Sequence, residues 1–308
     1  MMNVIEINKV SKKFKDHGKK FYALRDVSLD VREGEIFGLL GPNGSGKTTM
    51  LNIIMNILDP DAGSVRILGK DPRKDRTIME SVNFVAGDAR FHWALTVGNI
   101  LNFYGMIYNI EKDERHKRLD ELTKAFGIEH LLHRRFYTLS TGETMRTVLV
   151  KALLNKPKII LMDEPTLGLD PEIAMKVRKE IRRVNKKFNT TVLLTSHYMN
   201  EIEELADRIA FINKGRIIDI GSIKEVKMKK FGTYEVIITM AEIRDKQFLL
   251  KNEFKIKGNK ISKYISNDKN ISEVLSLIES RGLKITFVET RKPTMDDYFV
   301  KILREAKE

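Results

Sequence analysis

At 308 residues and 42% hydrophobic content the chain is long enough for two domains, each with its own core, and disorder as the global state is excluded. Fifty-five lysines and arginines against 42 acids leave a net charge of +13, which suits a protein working beside a polyanion such as a nucleotide, a nucleic acid or an anionic membrane surface. Without a single cysteine, the chain has no disulfide, thiolate metal site or cysteine nucleophile.

The opening residues, Met1-Met2-Asn3-Val4-Ile5-Glu6, do not read as a secretion signal, and no segment approaches the roughly 18 apolar residues of a membrane span. The expectation is a cytoplasmic protein that reaches a membrane only through a partner. From Val4 to about Ser222, short β-branched runs alternate with longer helical stretches, the pattern of an α/β domain on a largely parallel sheet. Strands are predicted at residues 27–31, 35–40, 64–68, 82–85, 159–162, 191–195 and 208–212. Helices are predicted at 47–56, 97–108, 112–126, 141–154, 171–187 and 198–205. Three helical patterns follow one another between about 93 and 155, which reads as a helical subdomain inserted into the domain 1–222.

A lysine-rich linker helix over 223–232 ends at Gly232, a common helix stop. Residues 233–308 then form a second domain: strand 234–239, helix 242–250, strands 254–257 and 260–266 around the turn Gly258-Asn259, helix 271–281 and strand 284–289. That βαββαβ order predicts a small α+β, ferredoxin-like domain. A terminal helix starts where Thr294 can cap the Asp297 amide, with Tyr298, Phe299, Ile302 and Leu303 on one face.

Two motifs carry chemistry by their own physics. Gly41-Pro42-Asn43-Gly44-Ser45-Gly46-Lys47-Thr48 follows one predicted strand and opens a helix, the context of a phosphate loop. Its glycines let backbone N–H groups surround phosphate oxygens, Lys47 supplies a cation, and Thr48 offers a hydroxyl to Mg²⁺. The expected ligand is a nucleoside triphosphate, with Thr49 continuing the loop into its helix. Further on, the apolar run of residues 159–162 delivers Asp163 and Glu164 to the carboxyl end of a strand, where ligands sit in such sheets. Asp163 is the candidate Mg²⁺ ligand and Glu164 the candidate base for water.

In order along the chain come the phosphate loop, Leu139-Ser140-Thr141-Gly142-Glu143, Asp163-Glu164, Leu167-Gly168-Leu169-Asp170 and His197. That succession resembles the ATP-binding cassette (ABC) ATPases, whose signature is usually Leu-Ser-Gly-Gly-Gln. The resemblance implies a P-loop cassette that binds ATP with Mg²⁺ and pairs head to tail with a second ATPase subunit. Each ATP is then pinned between one phosphate loop (Gly41, Asn43, Gly44, Ser45, Gly46, Lys47, Thr48, Thr49) and the partner's Ser140 and Gly142. An ordinary helix N-cap explains Ser140 equally well. The resemblance also implies His197 contacting the γ-phosphate beside Glu164 and Asp170 at the dimer contact, where Pro171 makes Asp170 a natural N-cap. Phe14 is either an adenine-stacking aromatic or a core phenylalanine.

Three positions depart from the family pattern. Thr141 replaces a glycine of the signature, and Glu143 replaces its glutamine, placing an acid beside the triphosphate unless its side chain points away. Gly87 stands where the Mg²⁺-contacting glutamine of the family is expected, and Asp88 is the candidate substitute ligand. Phe91, His92 and Trp93 then mark either the groove for a polytopic membrane permease or a helix start that packs inward.

Residues 34–41 and 293–299 resemble the branch that exports drugs, lipids, polysaccharides or ions, whose ATPase is a separate chain of this length with a small C-terminal domain. The function this implies is an ATPase peripheral to the inner face of the membrane, with no nucleic acid as partner. The alternative is a non-transport ABC ATPase acting on ribosomes or nucleic acid. It lacks support from the single phosphate loop and from the absence of zinc-binding cysteines. A binding module with a dead ATP site conflicts with intact Lys47, Asp163, Glu164 and His197.

Overall fold

The computed structural model describes residues 2–16, 18–86, 91–231, 234–243, 245–265, 269–292, 294 and 297–299. They fall into two units, Met1–Ile220 and Gly221–Glu308. The chain runs β1 (Asn3–Asp16), β2 (Lys19–Arg32), β3 (Ile36–Leu40), α1 (Lys47–Ile54), β4 (Ala62–Ile67), β5 (Val82–Ala86), α2 (Val97–Ile107), α3 (Lys112–Phe126) and α4 (Thr141–Leu153). It continues through β6 (Ile159–Asp163), α5 (Pro171–Phe188), β7 (Thr191–Ser196), α6 (Met199–Leu205), β8 (Arg208–Asn213) and β9 (Arg216–Ser222).

Six strands form one sheet in the order β5-β6-β7-β3-β8-β9, with the neighbours from β5 to β8 all parallel. Every residue of β3 and β7 is buried, as is every residue of β6 except Asp163, so these strands are covered on both faces and do not alternate between apolar and polar. Their carboxyl ends lie level, with Leu40 opposite Ser196 and Asp163 opposite Thr195. That register brings three distant segments to one edge.

A second, antiparallel sheet has the order β2-β1-β4. Helix α1 contacts β2, β4 and β6, and its Met50, Leu51 and Ile54 join Leu24, Val65, Leu161 and Leu193 in one core. At about 1.5–3 kcal/mol for each large aliphatic side chain taken from water, this core fixes α1 and the loop in front of it.

The strands β1 and β9 were not foreseen, and β2 begins well before residue 27. Bulges hide them: the β1–β2 register slips at four places, with Lys9 and Asp26 at positive φ, so apolar residues lose the period of two that marks a strand. β9 follows the turn Lys214-Gly215, both at positive φ, and is mostly half-buried.

The helix ends follow local chemistry. Thr96 caps α2 by accepting from Asn99 N at 3.2 Å. Gly127 stops α3 in the left-handed region, and Asn189 does the same for α5. Pro171 opens α5, yet the Asp170 side chain caps no amide, contrary to the N-cap expected from the sequence. Among the described residues no helix is long and apolar enough to cross a membrane.

The second unit contains α7 (Ile223–Phe231), β10 (Tyr234–Met240), α8 (Lys246–Lys251), β11 (Lys255–Lys257), β12 (Lys260–Ile265), α9 (Lys269–Glu279) and β13 (Ile285–Arg291). Its antiparallel strands have the order β11-β12-β10-β13. Val236, Ile238, Leu249, Phe254, Ile261 and Ile278 form the core. Helix α8 starts four residues later than position 242, because Asp245 caps it by accepting from Phe248 N at 3.0 Å. Thr294 and Asp297 cap each other reciprocally, and Arg291 bonds both Asp297 and the buried Glu235. Tyr298 is fully buried, whereas Ile302 and Leu303 lie outside the described residues.

Candidate functional site

The loop from Gly41 to Lys47 leaves the carboxyl end of β3 and enters α1. A Cβ on Gly41 would stand 2.2 Å from the Ile212 carbonyl oxygen, and Gly46 holds a φ of +110° against the Ala23 carbonyl. Inside this loop Ser45 Oγ is buried without a partner. A buried free hydroxyl and glycine-lined backbone at a helix N-terminus fit the phosphate oxygens of ATP.

Lys47 is buried, and its Nζ donates to Gly41 O at 2.8 Å and Pro42 O at 3.2 Å while lying 3.3 Å from Glu164 Oε1. Two loop carbonyls thus take its protons, and the Glu164 carboxylate pairs with its charge. Thr48 Oγ1 donates to Asp163 Oδ2 at 3.1 Å, and Thr195 Oγ1 donates to Asp163 Oδ1 at 2.5 Å. The Thr48–Asp163 pair fits Mg²⁺, which typically takes one or two protein oxygens and completes its shell with phosphate and water. Glu164 sits at a φ of +46°, and its amide donates to Thr195 Oγ1 at 3.1 Å. That sparsely populated backbone conformation aims the side chain back across the sheet edge. His197 Nδ1 comes within 2.8 Å of Glu164 Oε2, at an angle short of a hydrogen bond. Gly41 N donates to Ser196 O at 3.2 Å, which ties the phosphate loop to the histidine loop.

Behind these residues Glu201 of α6 is buried and accepts from Thr166 Oγ1 at 2.8 Å. Burial raises its pKa above the ordinary glutamate value.

Ser140 and Gly142 stand at the start of α4. The Ser140 hydroxyl accepts from Glu143 N at 3.4 Å, and Glu143 Oε2 accepts from Ser140 N at 2.8 Å, a complete capping box. Glu143 Oε1 also accepts from Arg134 Nη1 at 3.1 Å. The acid is thus turned onto its own helix start, and the hydrogen bond from Ser140 N, with the arginine beside it, holds its pKa below the usual range. A Cβ on Gly142 would meet nothing within 4 Å.

The remaining candidates are scattered. Phe14 is 37% exposed and packs on Phe21 at 6.1 Å, so it is not a core residue. Asn43 and Asp170 are exposed, and Thr49 is half-buried on α1. Phe91 packs edge-on against Phe136 and Tyr104, the inward packing expected of a helix start, whereas Trp93 is 63% exposed and stacks on His92. Gly87 and Asp88 lie outside the described residues. A cavity of about 810 Å³ between Arg76, Tyr108 and Asn155 contains none of the site residues. Sequence reasoning missed Thr195, Glu201 and Arg134. Only Thr195 had a usable signal, as the residue level with Asp163 once β6 and β7 are paired.

The family described as ABC transporter matches residues 24–167. The ABC transporter ATP-binding protein NatA of Bacillus subtilis (strain 168) is 33% identical over 225 residues, covering 72% of this chain and 91% of NatA. The molybdate/tungstate import ATP-binding protein WtpC of Pyrococcus horikoshii is 33% identical over 226 residues, 73% of this chain, which spans only 64% of WtpC. The linearmycin resistance ATP-binding protein LnrL of Bacillus subtilis (strain 168) is 28% identical over 94% of this chain and 95% of its own length. Among solved structures, the dimeric ATP-binding cassette MJ0796 in a post-hydrolysis state bound to ADP and Pi superposes with a TM-score of 0.62 at 28% identity, over 71% of this chain and 98% of that one. ATP-binding subunits of this kind dimerise and work with membrane permeases. The chain belongs to the ABC transporter family, as an ATP-binding subunit that hydrolyses ATP with Mg²⁺.

Proposed function

We propose that the chain drives an exporter from the cytoplasmic face of a membrane, two copies closing head to tail around two ATP molecules. The observation that carries the catalytic part is the convergence of Lys47, Thr48, Asp163, Glu164 and His197 on one sheet edge. The loop residues Gly41, Asn43, Gly44, Ser45 and Gly46, with Lys47 and Thr49, hold the phosphates, and Phe14 stacks on adenine. Thr48 and Asp163 would hold Mg²⁺, with Asp88 as a further ligand, and the ion would supply charge neutralisation on the phosphates. Glu164 takes a proton from the attacking water as its oxygen bonds to the γ-phosphorus and the bond to ADP breaks, while His197 steadies the carboxylate. Within one chain Ser140 bonds only back to Glu143 and Thr144, which suits a hydroxyl kept for the partner's ATP, with Asp170 at the contact between copies.

Export is supported by how the relatives match. The import protein WtpC matches over 226 residues, which is less than the whole chain, whereas the resistance protein LnrL matches along almost all of it. Exposed Trp93 and His92 form the contact for the permease, beside inward-packed Phe91. The test is affinity capture of tagged Glu164→Gln chain with ATP and Mg²⁺ from detergent-solubilised cells. A stoichiometric polytopic membrane protein is expected. Ribosomal proteins or DNA in its place would overturn the transport reading.

A further inference from the structure

Where the family has a neutral glutamine, this chain has Glu143, and both of its carboxylate oxygens are engaged. Oε2 accepts from Ser140 N and Oε1 from Arg134 Nη1. Arg134 is held in turn: its Nη2 donates to Thr138 O at 2.6 Å, and its own carbonyl accepts from Val97 N at 3.0 Å. Arg134 therefore braces the turn just before the signature against the start of α2. Glu143 is largely covered, its side chain 17% exposed, while the arginine stays 43% exposed.

We propose that Arg134 is a positioning residue for ATP-driven dimerisation: it cancels the charge of Glu143 and keeps that carboxylate turned onto the capping box, so that the partner's triphosphate meets the Ser140 hydroxyl and not an acid. The inference rests on the head-to-tail reading above. Its physics has two parts. The Ser140 oxygen accepts from the Glu143 amide and its hydroxyl also bonds the Glu143 carboxylate, so a carboxylate kept in the cap orients the hydroxyl that a phosphate would meet. A carboxylate without its arginine is free to rotate out of the cap, and it then opposes a polyanion through a medium less screening than water. Arg134 touches no nucleotide; it acts through Glu143.

The experiment compares full-length chains in the Glu164→Gln background, with ATP and Mg²⁺, by sedimentation equilibrium. Arg134→Ala should raise the monomer–dimer dissociation constant about tenfold, the scale of one charge-assisted contact. Glu143→Gln should dimerise at least as tightly as the parent, since it restores a neutral cap. The decisive variant is Arg134→Ala with Glu143→Gln, expected within about threefold of Glu143→Gln alone because the charge to be cancelled is gone. Should the double variant stay as weak as Arg134→Ala, the arginine is only a brace for the turn and the proposal fails. It also fails if Arg134→Ala dimerises like the parent. Absence of any ATP-driven dimer in the parent would instead refute the head-to-tail reading, and this inference with it.

Discussion

The same substitution, glycine to alanine, should have opposite consequences in the two nucleotide motifs. At Gly41 the added methyl would stand 2.2 Å from the Ile212 carbonyl oxygen, 2.7 Å from Ser45 Oγ and 3.0 Å from Ile212 Cγ2. An ordinary carbon–oxygen contact is about 3.3 Å, so the loop and β8 must separate by about 1 Å. Overpacking of that size costs about 1–3 kcal/mol, more when backbone must yield, and the Gly41 N to Ser196 O bond lies in the path of the shift. In a domain of this size each kcal/mol is worth about 2–4 °C, so Gly41→Ala should melt about 2–12 °C lower and lose nucleotide binding. At Gly142 the methyl enters open space inside a helix, so Gly142→Ala should melt at the wild-type temperature or slightly above. Its ATPase rate should nonetheless fall at least about tenfold if two copies close head to tail as proposed, because that arrangement brings the partner's phosphates to the methyl. Scanning fluorimetry and a phosphate-release assay give both readings. Wild-type melting for Gly41→Ala, or a lowered melting point for Gly142→Ala, would refute the geometric argument.

Glu164→Gln should bind ATP and lose about 10² to 10⁴ in turnover, and undiminished phosphate release would remove Glu164 as the base. Glu201 has a folded pKa raised above that of the unfolded chain, so the folded state keeps a proton that the unfolded state has released. Stability should therefore fall as pH rises from the ordinary glutamate value of about 4.5 through the folded one, and Glu201→Gln should flatten that slope. Melting curves between pH 5 and 8 check it, and an unaltered slope in the variant counts against the assignment. Trp93→Ala, at an exposed position, should change stability by less than about 0.5 kcal/mol yet abolish capture of a membrane partner. Undiminished capture would move the permease contact elsewhere.

The parallel sheet was readable because its central strands are buried on both faces and long helical stretches separate them. The phosphate loop and Asp163-Glu164 were readable because each sits where a strand ends. Strand β1 was not, since its bulges erase alternation and lysines fill the gaps. The roles of Thr195 and Glu201 depend on pairing between segments far apart in sequence, which no local pattern reports. Glu143 was flagged as an acid near a triphosphate. Its resolution needed Arg134, nine residues earlier, whose position is set by the turn between them rather than by a helix period.

Strand β3, which launches the phosphate loop, pairs with β7 on one side and β8 on the other. Both partners lie far downstream, so the loop's sequence leaves the ribosome long before its supports exist. At about 5–20 residues per second, the stretch from Leu40 to Thr191 takes roughly 8–30 seconds to make. Through that interval an apolar central strand must wait unpaired. The part of the chain that answers to nucleotide in the finished protein is thus the part most dependent on protection during synthesis, and a fragment ending at residue 167, where the family match stops, would never complete it.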